Sequence, residues 1–122
     1  MRSGSSLFAL ACLAACATPL APERAADRAA QAGFERLALR AGGFDLISYR
    51  RFAENAVTLR LYIENDGAAW PRPDVPPADP TPPDPLVLRL ALLDGGPAVA
   101  WISRPCQYLS LEWDGTRERM CF

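Results

Sequence analysis

Apolar and polar positions alternate most cleanly at 57–63. Val57, Leu59, Leu61 and Ile63 fall on one side of an extended chain, and Thr58, Arg60 and Tyr62 on the other. That alternation predicts a strand. Two earlier segments alternate less strictly. At 34–40 Leu37 and Leu39 share a side, and at 44–52 Phe44 and Leu46 oppose Ile47 and Tyr49, so both faces carry apolar side chains. Ala41-Gly42-Gly43 between them supplies the permissive backbone of a hairpin. Segment 98–102 (AVAWI) is apolar on both sides, the pattern of a buried parallel strand.

Two segments read as helices. The alanine-rich stretch 23–32 has no breaker until Gly33. Segment 86–93 follows Pro83 and Pro85, either of which suits a helix's first turn, and 94–97 (DGGP) ends it. Between the clearest strand and this helix, 71–85 holds eight prolines in fifteen residues, so it is neither a helix interior nor a sheet interior. With Asp74, Asp79 and Asp84 interspersed, it is expected to be an ordered surface loop. The unit 57–63, helix, 98–102 is then strand–loop–helix–strand, a right-handed crossover joining parallel strands.

The first residues, MRSGSSLFALACLAAC, change the picture of where this fold resides. One arginine precedes an apolar run at 7–15 that is too short to span a bilayer as a helix, which is the form of a secretory signal. Its end, Leu13-Ala14-Ala15-Cys16, resembles the bacterial lipobox, in which the cysteine receives lipid and becomes the new N-terminus. The alternative is an ordinary signal peptide cleaved nearby. Lipidation at Cys16 implies a membrane partner, and several acyl chains anchor stably where one binds only marginally. Ala17 stands where an aspartate would resemble an inner-membrane retention signal, so the expected address is the periplasmic face of the outer membrane. The expected organisation is a signal peptide at 1–15, a lipidated tether with a short helix at 16–33, and a folded part at 34–122.

Composition adds exclusions. At 122 residues the chain is one domain at most, and half its residues are apolar with 22% charged, an ordinary globular balance. A formal net charge of -1 leaves no surplus of cations for a nucleic-acid partner. No phosphate loop, dinucleotide glycine motif or metal-ligand set is present, so no cofactor is expected. In an oxidising compartment Cys106 and Cys121 remain as an even pair, and a disulfide is the favoured reading over metal binding. Such a bridge closes a loop of about 15 residues, worth roughly 3 kcal/mol.

Three stretches in order carry a resemblance: YIENDGAAW, DPTPPDPLVLRLA and ISRPCQYL. They resemble the patterns YIEGDGxAW, DPTPxDPxALxLA and RPCQY of a bacterial α/β-hydrolase-fold lipoprotein family of largely uncharacterised function. The likeness covers 34–110 and the lipobox. It implies an α/β fold class, the N-terminal portion of an α/β-hydrolase sheet: antiparallel hairpin strands, then a strand–helix–strand parallel crossover. It also implies that 57–63 is a central strand with more strands beyond it, so the chain reads as truncated after Phe122.

By the same resemblance, Asp66, Gly67 and Ala68 form the turn that presents backbone N–H groups to a developing oxyanion, with glycine allowing close approach. Asn65 stands where the family pattern carries glycine, and asparagine tolerates positive φ. Trp70 either lines a pocket or anchors a loop. Arg104 and Gln107 either bind substrate or belong to a motif that fixes its loop through proline and a disulfide.

The chain carries no histidine, and no serine has the Gly-x-Ser-x-Gly surroundings of a nucleophile elbow. Two functions are therefore expected. The first is the N-terminal fragment of a membrane-anchored serine hydrolase acting on an ester or amide, inactive alone. The second is a small non-catalytic periplasmic lipoprotein serving as a binding or envelope-structural module.

Overall fold

The computed structural model describes residues 21–109, apart from 69, 71, 76 and 78. The lipobox Cys16 and Cys121 therefore lie outside the described residues. The chain forms a mixed α/β fold: α1 (Ala21–Gln31), β1 (Glu35–Ala41), β2 (Phe44–Phe52), β3 (Arg60–Ile63), α2 (Leu86–Leu93) and β4 (Ala98–Ile102). The sheet is four-stranded in the order β1-β2-β4-β3. β2 runs antiparallel to both β1 and β4, whereas β3 and β4 are parallel.

The hairpin forms as its sequence requires. Ala41 pairs with Phe44, leaving Gly42 and Gly43 as a two-residue turn with φ of 60° and 86°. Positive φ at both positions defines the turn that matches strand twist, and glycine adopts it without steric cost. α2 and β4 occupy the predicted segments. Pro85 is the N-cap of α2 rather than a first-turn residue; its carbonyl accepts the Arg89 N–H at 3.0 Å.

The strand expected at 57–63 is cut to its last four residues. Arg60 pairs with Val99, so any longer ladder would run past Ala98 to Pro97, which has no N–H to give. The Pro97 carbonyl is already taken by the Ala53 N–H at 2.6 Å.

Register also decides the faces. Ile47, Tyr49, Val99 and Trp101 share one face, and Ala25 and Ala29 of α1 with Leu88 and Ala91 of α2 bury it. Trp101 anchors this core, stacked on Tyr49 at 5.4 Å and edge-on to Tyr108 at 5.0 Å. Its indole N–H has no partner among the described residues. Phe34 packs beneath Arg51, whose guanidinium lies 4.7 Å from the ring centroid and also donates to the Ala32 and Asp94 carbonyls.

On β3 the arrangement reverses the simple expectation. Tyr62 turns to the core, while Leu61 and Ile63 point to the opposite face and stay exposed, as does Leu59 just before the strand. The reason lies in the pairing: Tyr62 stands opposite Trp101 on the helix-covered face, and strand neighbours alternate. Among the described residues both helices lie on one side of the sheet, and the other side presents Leu39, Phe52, Leu61 and Ile63.

Candidate functional site

Parallel strands β3 and β4 end on the same edge, where ligands bind in open α/β sheets. Three segments meet there: 64–68 after β3, 79–82 of the proline-rich loop, and 103–109 after β4. The Glu64 N–H continues the ladder to the Ile102 carbonyl at 3.0 Å. Its carboxylate turns inward, only 3% exposed, and accepts the Asn65 N–H at 3.0 Å and the Tyr108 hydroxyl at 3.3 Å. Burial first, then the Glu64 charge and hydrogen bond, push the Tyr108 hydroxyl well above its ordinary pKa, so Tyr108 is a donor at any physiological pH. The Tyr108 N–H in turn donates to the Thr81 hydroxyl at 2.7 Å, and Asp79 holds the Thr81 N–H at 2.8 Å.

The oxyanion candidates Asp66, Gly67 and Ala68 lie at this edge, and the N–H groups of Gly67 and Ala68 are taken by the protein itself. The Gly67 N–H donates to the Asn65 side-chain oxygen at 2.9 Å, and the Ala68 N–H donates to the Pro80 carbonyl at 3.0 Å. Gly67 has a φ of 85°, and a Cβ there would stand 1.8 Å from the Pro80 carbonyl oxygen. The glycine is thus required by close packing of the proline loop against the turn. Asn65, expected to supply left-handed backbone, does not; its side chain closes an Asx turn on Gly67.

Gln107 is 1% exposed and fully engaged. Its amide nitrogen donates to the carbonyls of Asn65 at 3.0 Å and Pro80 at 3.3 Å, and its oxygen accepts the Arg104 N–H at 3.2 Å. One side chain therefore ties all three segments together. Arg104 pairs with the Asp66 carboxylate at the surface. Trp70 is half exposed and makes no ring or cation–π contact among the described residues.

Cys106 is disulfide-bonded, with its partner outside the described residues. Cys106 and Tyr108 both adopt positive φ, 69° and 62°, a conformation that costs a residue with a Cβ roughly 1–2 kcal/mol. Gln107 between them, and the Tyr108 bonds to Thr81 and Glu64, hold that loop in place.

The serines of the described segment are structural. The Ser103 hydroxyl accepts the Ile47 N–H at 2.9 Å, and Ser48 donates to the Trp101 carbonyl at 2.8 Å; both side chains are buried. A second polar cluster lies elsewhere in the fold. Asp94, just past α2, accepts from Arg60 at 2.6 Å, Tyr62 at 2.8 Å and the Gly96 N–H at 2.8 Å. The Gly96 bond, then Tyr62 and Arg60, hold its carboxylate below the usual range.

Two clefts among the described residues lie away from the turn. One of about 140 Å³ lies between α1 and α2, lined by Arg24, Arg28 and Leu88. The other, about 320 Å³, is bounded by Phe52, Val57, Leu59 and Ala98. Among the described residues no helix is long and apolar enough to cross a membrane, and no three metal-capable side chains cluster.

Sequence reasoning brought Asp66 and Arg104 to one edge but missed Glu64, Thr81 and Tyr108. Glu64 directly follows an apolar strand and Tyr108 lies in the RPCQY stretch, but nothing local to either marks them as partners. Comparison with known proteins finds no matching family model, no matching curated protein and no matching solved structure.

Proposed function

We propose that this chain is an α/β-hydrolase-like lipoprotein module of the bacterial envelope, anchored through Cys16 and catalytically silent by itself. The observation that carries the reading is the joining of the turn after β3 to the loop after β4 by Gln107 and the Arg104–Asp66 pair. Both segments lie in the stretches that resemble the family, and the strand, hairpin and parallel crossover arrangement agrees with how such a domain begins.

Silence follows from the chemistry available. The chain has no histidine to take a proton from a nucleophile. Ser48 and Ser103 are buried and committed to backbone partners. The Gly67 N–H, the natural oxyanion donor, is capped by Asn65 at the position where the family pattern carries glycine. The turn is closed by that one substituent. Esterase assays on the intact chain with activated esters test the reading: no turnover sensitive to serine-directed reagents is expected, and clear inhibition by such reagents would overturn it. The hydrolase resemblance has its own test. DNA following the last codon encodes a Gly-x-Ser-x-Gly elbow and a histidine in some frame if it is right, and lacks both if it is wrong.

A second reading, a non-catalytic assembly module, is favoured by a different observation. The exposed apolar side chains of β3 stand beside a strand edge that is unpaired among the described residues.

A further inference from the structure

β3 is the last strand of the sheet, and its outer backbone is open among the described residues. The Glu64 N–H points to β4, so by alternation the Tyr62 amide also faces β4 and those of Leu61 and Ile63 face outward. An outward row of N–H and C=O groups is recognised by another extended backbone. The edge strand is short, four residues, but little else keeps other strands from it. Its single charged side chain, Arg60, is held by Asp94, and no proline or lysine lies within 57–63.

The side chains specify which strand fits. Leu59, Leu61 and Ile63 are 52%, 55% and 62% exposed and share one face of the sheet. Antiparallel pairing about a two-fold axis at Leu61 sets Leu61 against Leu61 of the other copy, and Leu59 against Ile63. On the opposite face the same register sets Arg60 against Tyr62, so no cation meets a cation. The sequence is complementary to itself in this register; a shift by one residue would set Arg60 against an apolar neighbour.

We propose that β3 pairs edge to edge with β3 of a second copy of this chain, joining two four-stranded sheets into one continuous sheet. The closed two-fold contact ends further growth, because each copy then has no second β3 edge to offer. Val57, 98% exposed, lies just before this edge in the chain. Four such side chains exposing on the order of 100 Å² each give roughly 800 Å² across two copies, in the range of small, transient interfaces. The pair is therefore weak, with a dissociation constant on the order of micromolar. The inference concerns this chain alone, since a further strand of the kind the hydrolase resemblance implies would take the same edge.

The test uses the full chain extracted from membranes in mild detergent, with mass measured by sedimentation from about 1 to 100 μM, bracketing the expected constant. The wild type should pass from one copy to two, and Leu61→Lys should dissociate at least about tenfold more readily, because its charges meet across the axis. Leu93→Lys, on exposed α2, should leave pairing unchanged. Amide exchange on the wild type provides a second reading that needs no variant: the Leu61 and Ile63 amides should slow as concentration rises, and the Tyr62 amide should not. A single copy at all concentrations would overturn the proposal. So would a Leu61→Lys dimer of wild-type strength, assemblies larger than two, or slow exchange at Leu61 and Ile63 in a single copy, which would mean that another segment covers the edge.

Discussion

Replacing Gly67 with alanine separates the two reasons a glycine could stand in this turn. If Gly67 serves only the approach of an outside ligand, a methyl group there leaves the fold untouched. The structure says otherwise, since the new Cβ would lie 1.8 Å from the Pro80 carbonyl oxygen and 2.5 Å from the Gln107 amide nitrogen. Left-handed backbone costs alanine roughly 1–2 kcal/mol. Displacing Pro80 adds an overpacking cost of about 1–3 kcal/mol. The bonds that converge on that carbonyl, from Ala68 and Gln107, weaken as it moves, at about 0.5–1.5 kcal/mol each. A total of about 3–8 kcal/mol is a large fraction of the roughly 5–15 kcal/mol that holds a domain together. Urea unfolding should show a much lower midpoint with an unchanged slope, and Tm should fall by more than about 12 °C for a domain this small. Gly43→Ala is the control: φ is 86° there but nothing lies within 4 Å, so only the backbone cost of roughly 1–2 kcal/mol applies. If Gly67→Ala costs no more than Gly43→Ala, the packing argument fails.

Two further predictions concern the polar clusters. Gln107→Leu keeps the volume but leaves the Asn65 carbonyl and the Arg104 N–H unsatisfied, and the Pro80 carbonyl with the Ala68 N–H alone. Each such group costs about 1–3 kcal/mol if it stays dry, so a loss of at least about 2 kcal/mol in chemical denaturation is expected, and a neutral result would show that water replaces the amide. Asp94 gives a pH dependence with a definite sign. Its folded-state pKa lies below the unfolded value, so its contribution is complete above the ordinary carboxylate range and fades as pH falls through the folded value. Tyr62, raised chiefly by its bond to Asp94, makes the same contact fade again in strong alkali. Asp94→Asn should flatten the acid limb of a Tm-versus-pH curve, and an unaltered limb would remove Asp94 as its cause.

How much of this was legible beforehand depended on whether a local signal was sufficient. The hairpin was readable because Gly42 and Gly43 can hold positive φ and the flanking residues alternate. α2 and β4 were readable because prolines and a Gly-Gly-Pro turn punctuate strongly apolar runs. β3 was less so. Its length is set by Pro97, which lies just before β4 and 39 residues beyond Thr58, the residue it would face, a relation that only the register reveals. Asp66, Gly67, Arg104 and Gln107 were picked out through a resemblance, and their contacts became visible only with the fold. Glu64 and Tyr108, 44 residues apart, carry no shared sequence signal at all.

The sequence by itself determined the local choices: where backbone must bend, which segments favour helix, and which runs are apolar on both sides. Those follow from propensity, glycine and proline, which act within a few residues. Only the tertiary structure decided that Tyr62 rather than Leu61 enters the core, that β3 is the edge strand among the described residues, and that Gly67 makes room for Pro80. Each of these depends on which distant backbone comes alongside, and a strand's side-chain alternation defines two faces without saying which one the helices will cover.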